Sequence, residues 1–334
     1  MAESITVSIV IVNYKTRDHL QACLESILKE QAVKYEIIVV DNNSDDGSVE
    51  MVREHFRSVL LISNDKNVGF AAANNIAIER ARGKYVLLLN PDTTITATTL
   101  ETLVAFMEDN PDVSTAGCKV MYPDGRIQMS CGRLPTIFSA FFGGETINRV
   151  FRKIFTNSSF IGACGIIGQD GERRHEVETL LGACVFLRKD VLDKIGLFDE
   201  NMFMYFEECD LFHRIRRAGG KIMYIPDTMI YHHAGASTTN ESVGRSVHNY
   251  QRSLEYYLKK VFSLKRLGLF RVSLVLCALA KSASISLALL VSGAQRRERL
   301  KRKRLWHWHT CLYYFKMLFS SRTARRKRDQ PQSV

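Results

Sequence analysis

The sequence lacks any C-x-x-C pair and any cysteine and histidine spacing of the zinc-binding kind, although it holds eight cysteines. A structural zinc module is thereby excluded, and reduced, mostly buried thiols in a cytosolic compartment are expected. It lacks a basic segment and cleavage site at its start, where Met1-Ala2-Glu3-Ser4 leads straight into a short apolar run, so no signal peptide is read there. It also lacks glycine in Asn13-Tyr14-Lys15-Thr16-Arg17, the turn after the first predicted strand. That absence removes a dinucleotide-binding dehydrogenase. No internal repeat is visible.

Charge is spread unevenly. Residues 259–334 hold 19 Lys or Arg against only Glu298 and Asp329, a balance of +17, so residues 1–258 carry −6 of the overall +11. The basic pI therefore describes a tail, and a nucleic-acid-binding reading of the whole chain would misplace the charge.

Four short apolar runs are present: Val7 to Val12, Glu36 to Val40, Val59 to Ser63 and Tyr85 to Leu89. Helical periods over Leu20 to Lys29, Ser48 to His55 and Ala71 to Ala81 separate them, and alternation of this kind predicts an α/β fold with a mainly parallel sheet. A further helix is expected over Leu100 to Glu108. Residues 136–176 are aromatic, glycine-rich and irregular, as suits either a loop over a site or an ordinary insertion. Beyond them come an apolar run from Leu180, a helix from the acids at 207 to Ala218, and a strand over Lys221 to Ile225.

The chemistry gathers where these elements start and stop. Asn90-Pro91-Asp92 halts the run Tyr85-Val86-Leu87-Leu88-Leu89, leaving a carboxylate at the carboxyl edge of a buried strand. On those residues alone it is equally a turn and a cation site. Asp41 ends the second strand and opens Asp41-Asn42-Asn43-Ser44-Asp45-Asp46-Gly47, with turn formation and base recognition evenly matched. In Asn67-Val68-Gly69-Phe70 and the alanines that follow, Gly69 permits close backbone approach, and Ala71 to Ala73 read as packing. Glu207-Glu208-Cys209-Asp210 caps a helix or supplies a base, because crowded carboxylates beside aromatic residues raise one another's pKa. His232-His233 follows Met229-Ile230-Tyr231 as a metal ligand or a backbone-satisfied imidazole.

Taken together, Val7 to Tyr14 (VSIVIVNY), Val39 to Gly47 (VVDNNSDDG), Asn67 to Asn74 (NVGFAAAN), Leu89 to Asp92 (LNPD), the acid cluster and His232 to Ser237 (HHAGAS) resemble the family 2 inverting glycosyltransferases of GT-A fold, rhamnosyltransferase branch. The resemblance covers about residues 5–260. It implies a Rossmann-like, mainly parallel sheet flanked by helices and a hexosyltransferase-type activity. The donor would be a nucleoside-diphosphate sugar, with dTDP-rhamnose suggested by the branch, and divalent Mg2+ or Mn2+ would neutralise the departing diphosphate. Asp41 would then pair with the nucleobase, Asn90 would lie near the ribose, and Asn13, Asn67, Gly69 and Asn74 would complete the donor site. Asp92 would bind the metal with His232, His233 being the alternative. Glu208 falls where the family has its base, with Glu207 and Asp210 as alternatives. The chain departs from the family in having Asn90 where Asp is common and Glu208 where Asp is usual.

The tail changes character. Residues 272–292 carry one charge, Lys281, and would span about 31 Å as a helix. Both flanks are basic, and Ser273, Cys277, Lys281, Ser284 and Ala288 share one stripe, so an in-plane helix on an anionic membrane surface is expected rather than a span. The expected organisation is a GT-A domain over 1–258, with 136–176 as an acceptor-side loop, and a basic amphipathic helical region over 259–334. The expected setting is the cytoplasmic membrane face, with a glycan or lipid-linked glycan acceptor. A membrane-tethered sugar-nucleotide-binding protein without turnover would keep Asp41 and Asp92 but not need the acid cluster. A processive synthase would need Q-x-x-R-W and a set of spans, and a glycosidase two facing carboxylates with no nucleotide site.

Overall fold

The computed structural model describes residues 5–136, 172–233, 242–262, 267–290 and 293–319. Most of the loop expected over 136–176, and Ala234 to Ser237 of the histidine motif, lie outside the described residues. The chain divides into two compact units, Met1–Thr136 with Gly144–Asn240, and Ile137–Gly143 with Glu241–Val334.

In the first unit, strands β1 (Val7–Asn13), β2 (Tyr35–Asp41), β3 (Leu60–Ser63) and β4 (Tyr85–Leu89) alternate with helices α1 (Arg17–Ile27), α2 (Ser48–His55) and α3 (Phe70–Ile78). There follow β5 (Thr93–Ile95), α4 (Thr99–Asp109), β6 (Val113–Met121), the two-residue strands β7 (Ile127–Gln128), β8 (Cys131–Gly132), β9 (His175–Glu176) and β10 (Thr179–Leu180), then β11 (Cys184–Arg188), α5 (Lys189–Ile195), α6 (Glu207–Arg217) and β12 (Lys221–His232). The main sheet runs β3-β2-β1-β4-β11-β6-β12-β5. Only β11 and β5 on that path run against the others, so the mainly parallel expectation holds.

Successive side chains of a strand face opposite ways, and every residue of β1 is buried, so β1 feeds two cores. Val7, Ile9 and Ile11 pack with Leu20 and Leu24 of α1, Met51 of α2 and Leu103 of α4. Val10 and Val12 pack with Ala71, Ala73 and Ala77 of α3 and with Leu211 and Ile215 of α6. These alanines let α3 lie close on the sheet: Ala71 and Ala73 take the packing role read for Ala71 to Ala73 in the sequence, Ala77 joins them, and Ala72 is only partly buried.

Register then gathers the strand ends. Asn13 stands opposite Asp41, Asp41 opposite Ser63, and Ile11 opposite Leu89, which leaves Asn90-Pro91-Asp92 level with the same edge. Two features were not legible. The short β5 pairs with β12, setting Thr93 opposite His232. The strand expected over Lys221 to Ile225 continues through Pro226 as far as His232, because a register shift between Ile225 and Met229 absorbs the proline as a bulge.

The second unit consists, among the described residues, of α7 (Val243–Phe262), α8 (Leu267–Leu290) and α9 (Ala294–Phe319). Helices α8 and α9 run antiparallel: Cys311 Sγ donates to the Val275 carbonyl at 3.7 Å, and Arg297 Nη2 to that of Leu289 at 3.4 Å. Helix α7 joins them through Tyr314 Oη donating to Gln251 Oε1 at 2.8 Å and through the buried Arg271 and Glu255 pair. The expected boundary at 258/259 falls inside α7. The division comes ahead of that helix because its Gln251 and Glu255 are bonded to α9 and α8.

Candidate active site

Three neighbouring groups of side chains build the carboxyl edge. The first surrounds Asp41, which is 2% exposed. Its Oδ1 accepts from Asn13 Nδ2 at 2.7 Å and Ser44 Oγ at 2.5 Å, and its Oδ2 from the Ser44 N–H at 3.0 Å. Thr16 Oγ1 donates to Asn13 Oδ1 at 2.7 Å, fixing that amide. The loops tighten onto this network through Lys15, Asn43 and Asp45, all at positive φ. A carboxylate oxygen takes two donors, so Oδ1 is filled while Oδ2 keeps one acceptor position.

Asn67 Oδ1 accepts from the Gly69 N–H at 2.9 Å. Gly69 lies at φ +92, and a Cβ there would stand 2.6 Å from the Phe203 carbonyl oxygen, so glycine is obligatory. The Phe70 N–H donates to that oxygen at 2.7 Å, tying the start of α3 to the segment before α6. Asn74 Nδ2 donates back to the Phe70 carbonyl at 2.8 Å, within its own helix.

The second group holds Asp92 and His232, 5% and 6% exposed. His232 Nε2 lies 3.3 Å from Asp92 Oδ1, and Gln128 Oε1 lies 3.0 Å from Nδ1. With Gln128 accepting from Nδ1–H, the Nε2 lone pair faces the Asp92 carboxylate. The His233 N–H donates to the Asp92 carbonyl at 2.9 Å, while its exposed ring sits 4.8 Å from that of His19. Partial burial, then the His19 ring, hold the His233 pKa below its ordinary value. Asn90 closes the turn: its N–H donates to the Ala183 carbonyl at 3.1 Å and its carbonyl accepts from Thr93 Oγ1 at 2.7 Å.

The third group is the acid cluster. Tyr205 and Phe206 both have positive φ, at 70 and 68, a strained entry that turns the start of α6. Asp210 is 1% exposed and its Oδ2 accepts from Arg214 Nε at 2.9 Å, while Arg214 also donates to the carbonyls of Ile195, Gly196 and Leu197. Arg214, held by Asp210, thus ties α6 to the end of α5. Glu207 is buried and Glu208 half-buried, and Oε2 of each has no hydrogen-bond partner among the described residues. Burial, then the neighbouring Glu208 charge, push Glu207 well above the carboxylate range. Burial also raises Glu208, but a hydrogen bond with Glu207 works against the rise. The two neighbouring carboxyls thus resist carrying two negative charges together. Glu208 reaches the turn before β11, since a Cβ on Gly182 would stand 2.9 Å from its Oε1. The next residue, Ala183, accepts from Asn90, so Glu208 and the Asn90 turn share one edge.

Residues 8–196 match the family model for glycosyl transferase family 2. The chain belongs to that family. This family 2 chain is 28% identical over 273 residues to the uncharacterized protein y4gI of Sinorhizobium fredii, 76% of its own length but only 27% of that relative's. It is 25% identical over 241 residues to the N-acetylglucosaminyl-diphospho-decaprenol L-rhamnosyltransferase of Mycobacterium tuberculosis, 69% of this chain and 76% of that one. The mannosyltransferase of Pyrobaculum calidifontis solved with GDP-Man and Mn2+ superposes with a TM-score of 0.55 at 17% identity, over 96% of this chain and 89% of that one, which shows the GT-A fold.

The family 2 chain brings Asn13, Asp41, Asn90, Asp92, His232 and Glu208 to one sheet edge. Sequence reasoning missed Ser44, Gln128 and Gly182. Ser44 lay inside a run read as turn chemistry, and Gln128 and Gly182 act across contacts distant in sequence.

Proposed function

We propose that the protein moves a sugar, rhamnose by the branch it resembles, from a nucleoside-diphosphate donor to a glycan acceptor, with inversion at the anomeric carbon. The acceptor is lipid-linked and the work is done at the cytoplasmic membrane face in cell-surface polysaccharide synthesis. The observation that carries this reading is the meeting, at one carboxyl edge, of the Asp92 and His232 pair with two neighbouring acids, each with one buried carboxyl oxygen that has no hydrogen-bond partner among the described residues. A protein that only bound a sugar nucleotide would gain nothing from desolvating Glu207 and Glu208.

The donor set fits a divalent cation. A carboxylate oxygen and an imidazole nitrogen 3.3 Å apart, with the far ring nitrogen held by Gln128, form a pair of ligands with an outer partner already in place. No group of three or more His, Cys, Asp or Glu side chains suited to an ion occurs among the described residues, so donor phosphate oxygens would complete the coordination. Asp92 and His232 would hold Mg2+ or Mn2+, which when bound would stabilise charge on the departing diphosphate. The free position on Asp41 Oδ2 suits an N–H donor on the nucleobase edge, with Asn13 and Ser44 keeping the carboxylate still. Glu208 takes the proton from the acceptor hydroxyl, and its raised pKa makes it a stronger base than a solvated carboxylate. Inversion follows from one displacement, with base and leaving group on opposite faces of the sugar.

The test is release of nucleoside diphosphate by the full chain from a panel of sugar nucleotides, with and without acceptor and cation. Release that needs acceptor and cation supports the reading. Donor binding without acceptor-dependent release would replace it with the non-catalytic one.

A further inference from the structure

Helix α8 turns an uncharged apolar stripe outward. Leu269, Val272, Leu276, Leu279, Leu287 and Leu290 are 70%, 42%, 61%, 45%, 68% and 76% exposed and, with the exposed Ala283 in the gap after Leu279, recur every three or four residues along Gly268–Leu290. The hydroxyls close to that stripe are already satisfied: Ser273 Oγ donates to the Leu269 carbonyl at 2.9 Å, and Ser284 Oγ to that of Ala280 at 2.9 Å. Removing water from this face therefore leaves no hydrogen bond unmade. The one charge between Val272 and Leu290, Lys281, is half-buried.

The neighbouring helix supplies the complementary chemistry. Arg297, Arg299 and the four basic residues at 301–304 are all exposed and stand against the single acid Glu298. Arg297 meets the carbonyl of Leu289, which sets this cationic block beside the carboxyl-terminal end of α8. Farther along α9, Trp308 and Phe315 are 51% and 55% exposed.

We infer that the α8 and α9 hairpin docks on an anionic phospholipid leaflet, the outer stripe of α8 lying in the plane of the interface and the basic start of α9 on lipid headgroup phosphates. Charge complementarity selects this occupant over a second copy of the chain, whose own basic block would face the first. The packing of α9 along α8 also selects lying over spanning, since a crossing α8 would carry residues 297–304 into hydrocarbon. The inference deepens the membrane-face part of the proposed function and leaves its chemistry aside.

Both tryptophans of the chain, Trp306 and Trp308, lie in α9, so intrinsic fluorescence reports this hairpin. The full chain is mixed with phosphatidylcholine vesicles, with and without phosphatidylglycerol, using lipids brominated at shallow or deep positions. Expected are binding that needs the anionic lipid and falls with salt, stronger quenching by shallow bromine, and a loss of affinity of at least about tenfold in Leu276→Glu with Leu287→Glu. No vesicle binding, stronger deep quenching as for a span, or a concentration-dependent dimer lost in the same double variant would each overturn the inference. Thermal stabilisation by sugar nucleotide is measured in parallel. It is unchanged in the double variant, so failure here is distinguishable from failure of the transferase reading.

Discussion

Gly182→Ala is the substitution that most cleanly separates the placement of the base from the folding of the protein. Its Cβ would stand 2.9 Å from Glu208 Oε1 and 3.5 Å from Cδ, whereas ordinary contact begins at 3.4 Å. Oε1 must retreat by about half an ångström, and as the far end of a flexible side chain it can do so by rotation. Gly182 is not at positive φ, so alanine adds no backbone strain, and stability should change by less than about 1 kcal/mol. Catalysis is less forgiving. A misplacement of about 1 Å costs on the order of a hundredfold, so half of that points to roughly tenfold in kcat, or about 1.4 kcal/mol. The assay is acceptor-dependent nucleoside diphosphate release, with donor KM and thermal midpoint measured alongside. In a Glu208→Gln background the alanine should have no further effect, since the group it displaces no longer acts. A kcat within twofold of the parent, or a full additional loss in the double variant, would refute the placement of Glu208.

Other expectations follow from the same contacts. Asp210→Ala leaves Arg214 without its buried partner and should cost roughly 3–5 kcal/mol in chemical denaturation. Gln128→Leu frees the His232 ring and should raise the Mn2+ concentration for half-maximal turnover roughly 10–100-fold. For pH, the proposed base Glu208 would act as the carboxylate, and burial raises its pKa from 4.5, so kcat/KM should fall on the acid side with a midpoint above 4.5. Glu207 holds its proton more tightly folded than unfolded, so its contribution to stability is full below 4.5 and is lost as pH rises through the raised value. Glu207→Gln should therefore lose less thermal stability than the parent between pH 4.5 and 7.

The site was legible where local pattern places a residue. Asn13, Asp41, Asn90 and Asp92 close or follow apolar runs whose length and breaks show in the sequence, and Glu208 opens a helix after aromatic residues. What makes these side chains act was not legible, because it depends on contacts between distant elements. Gln128 meets His232 across 104 residues, and a two-residue strand gives no periodic signal. Pro226 looks like a strand breaker, yet a bulge carries β12 past it and delivers His232 to Asp92. The tail shows the same division. Charge counting marks a change near residue 259, whereas packing places all of α7 with the second unit.

The central claim is that Glu208 is the base of a cation-dependent sugar transfer organised by Asp92 and His232. Its most direct test is acceptor-dependent nucleoside diphosphate release in Mn2+ by the parent chain and by Glu208→Gln, with thermal stabilisation by the donor measured on both. The account predicts equal donor stabilisation and a loss of turnover of about a hundredfold or more in the variant. Parent-like turnover by Glu208→Gln, or undiminished turnover by the parent after chelation of divalent cations, would contradict it.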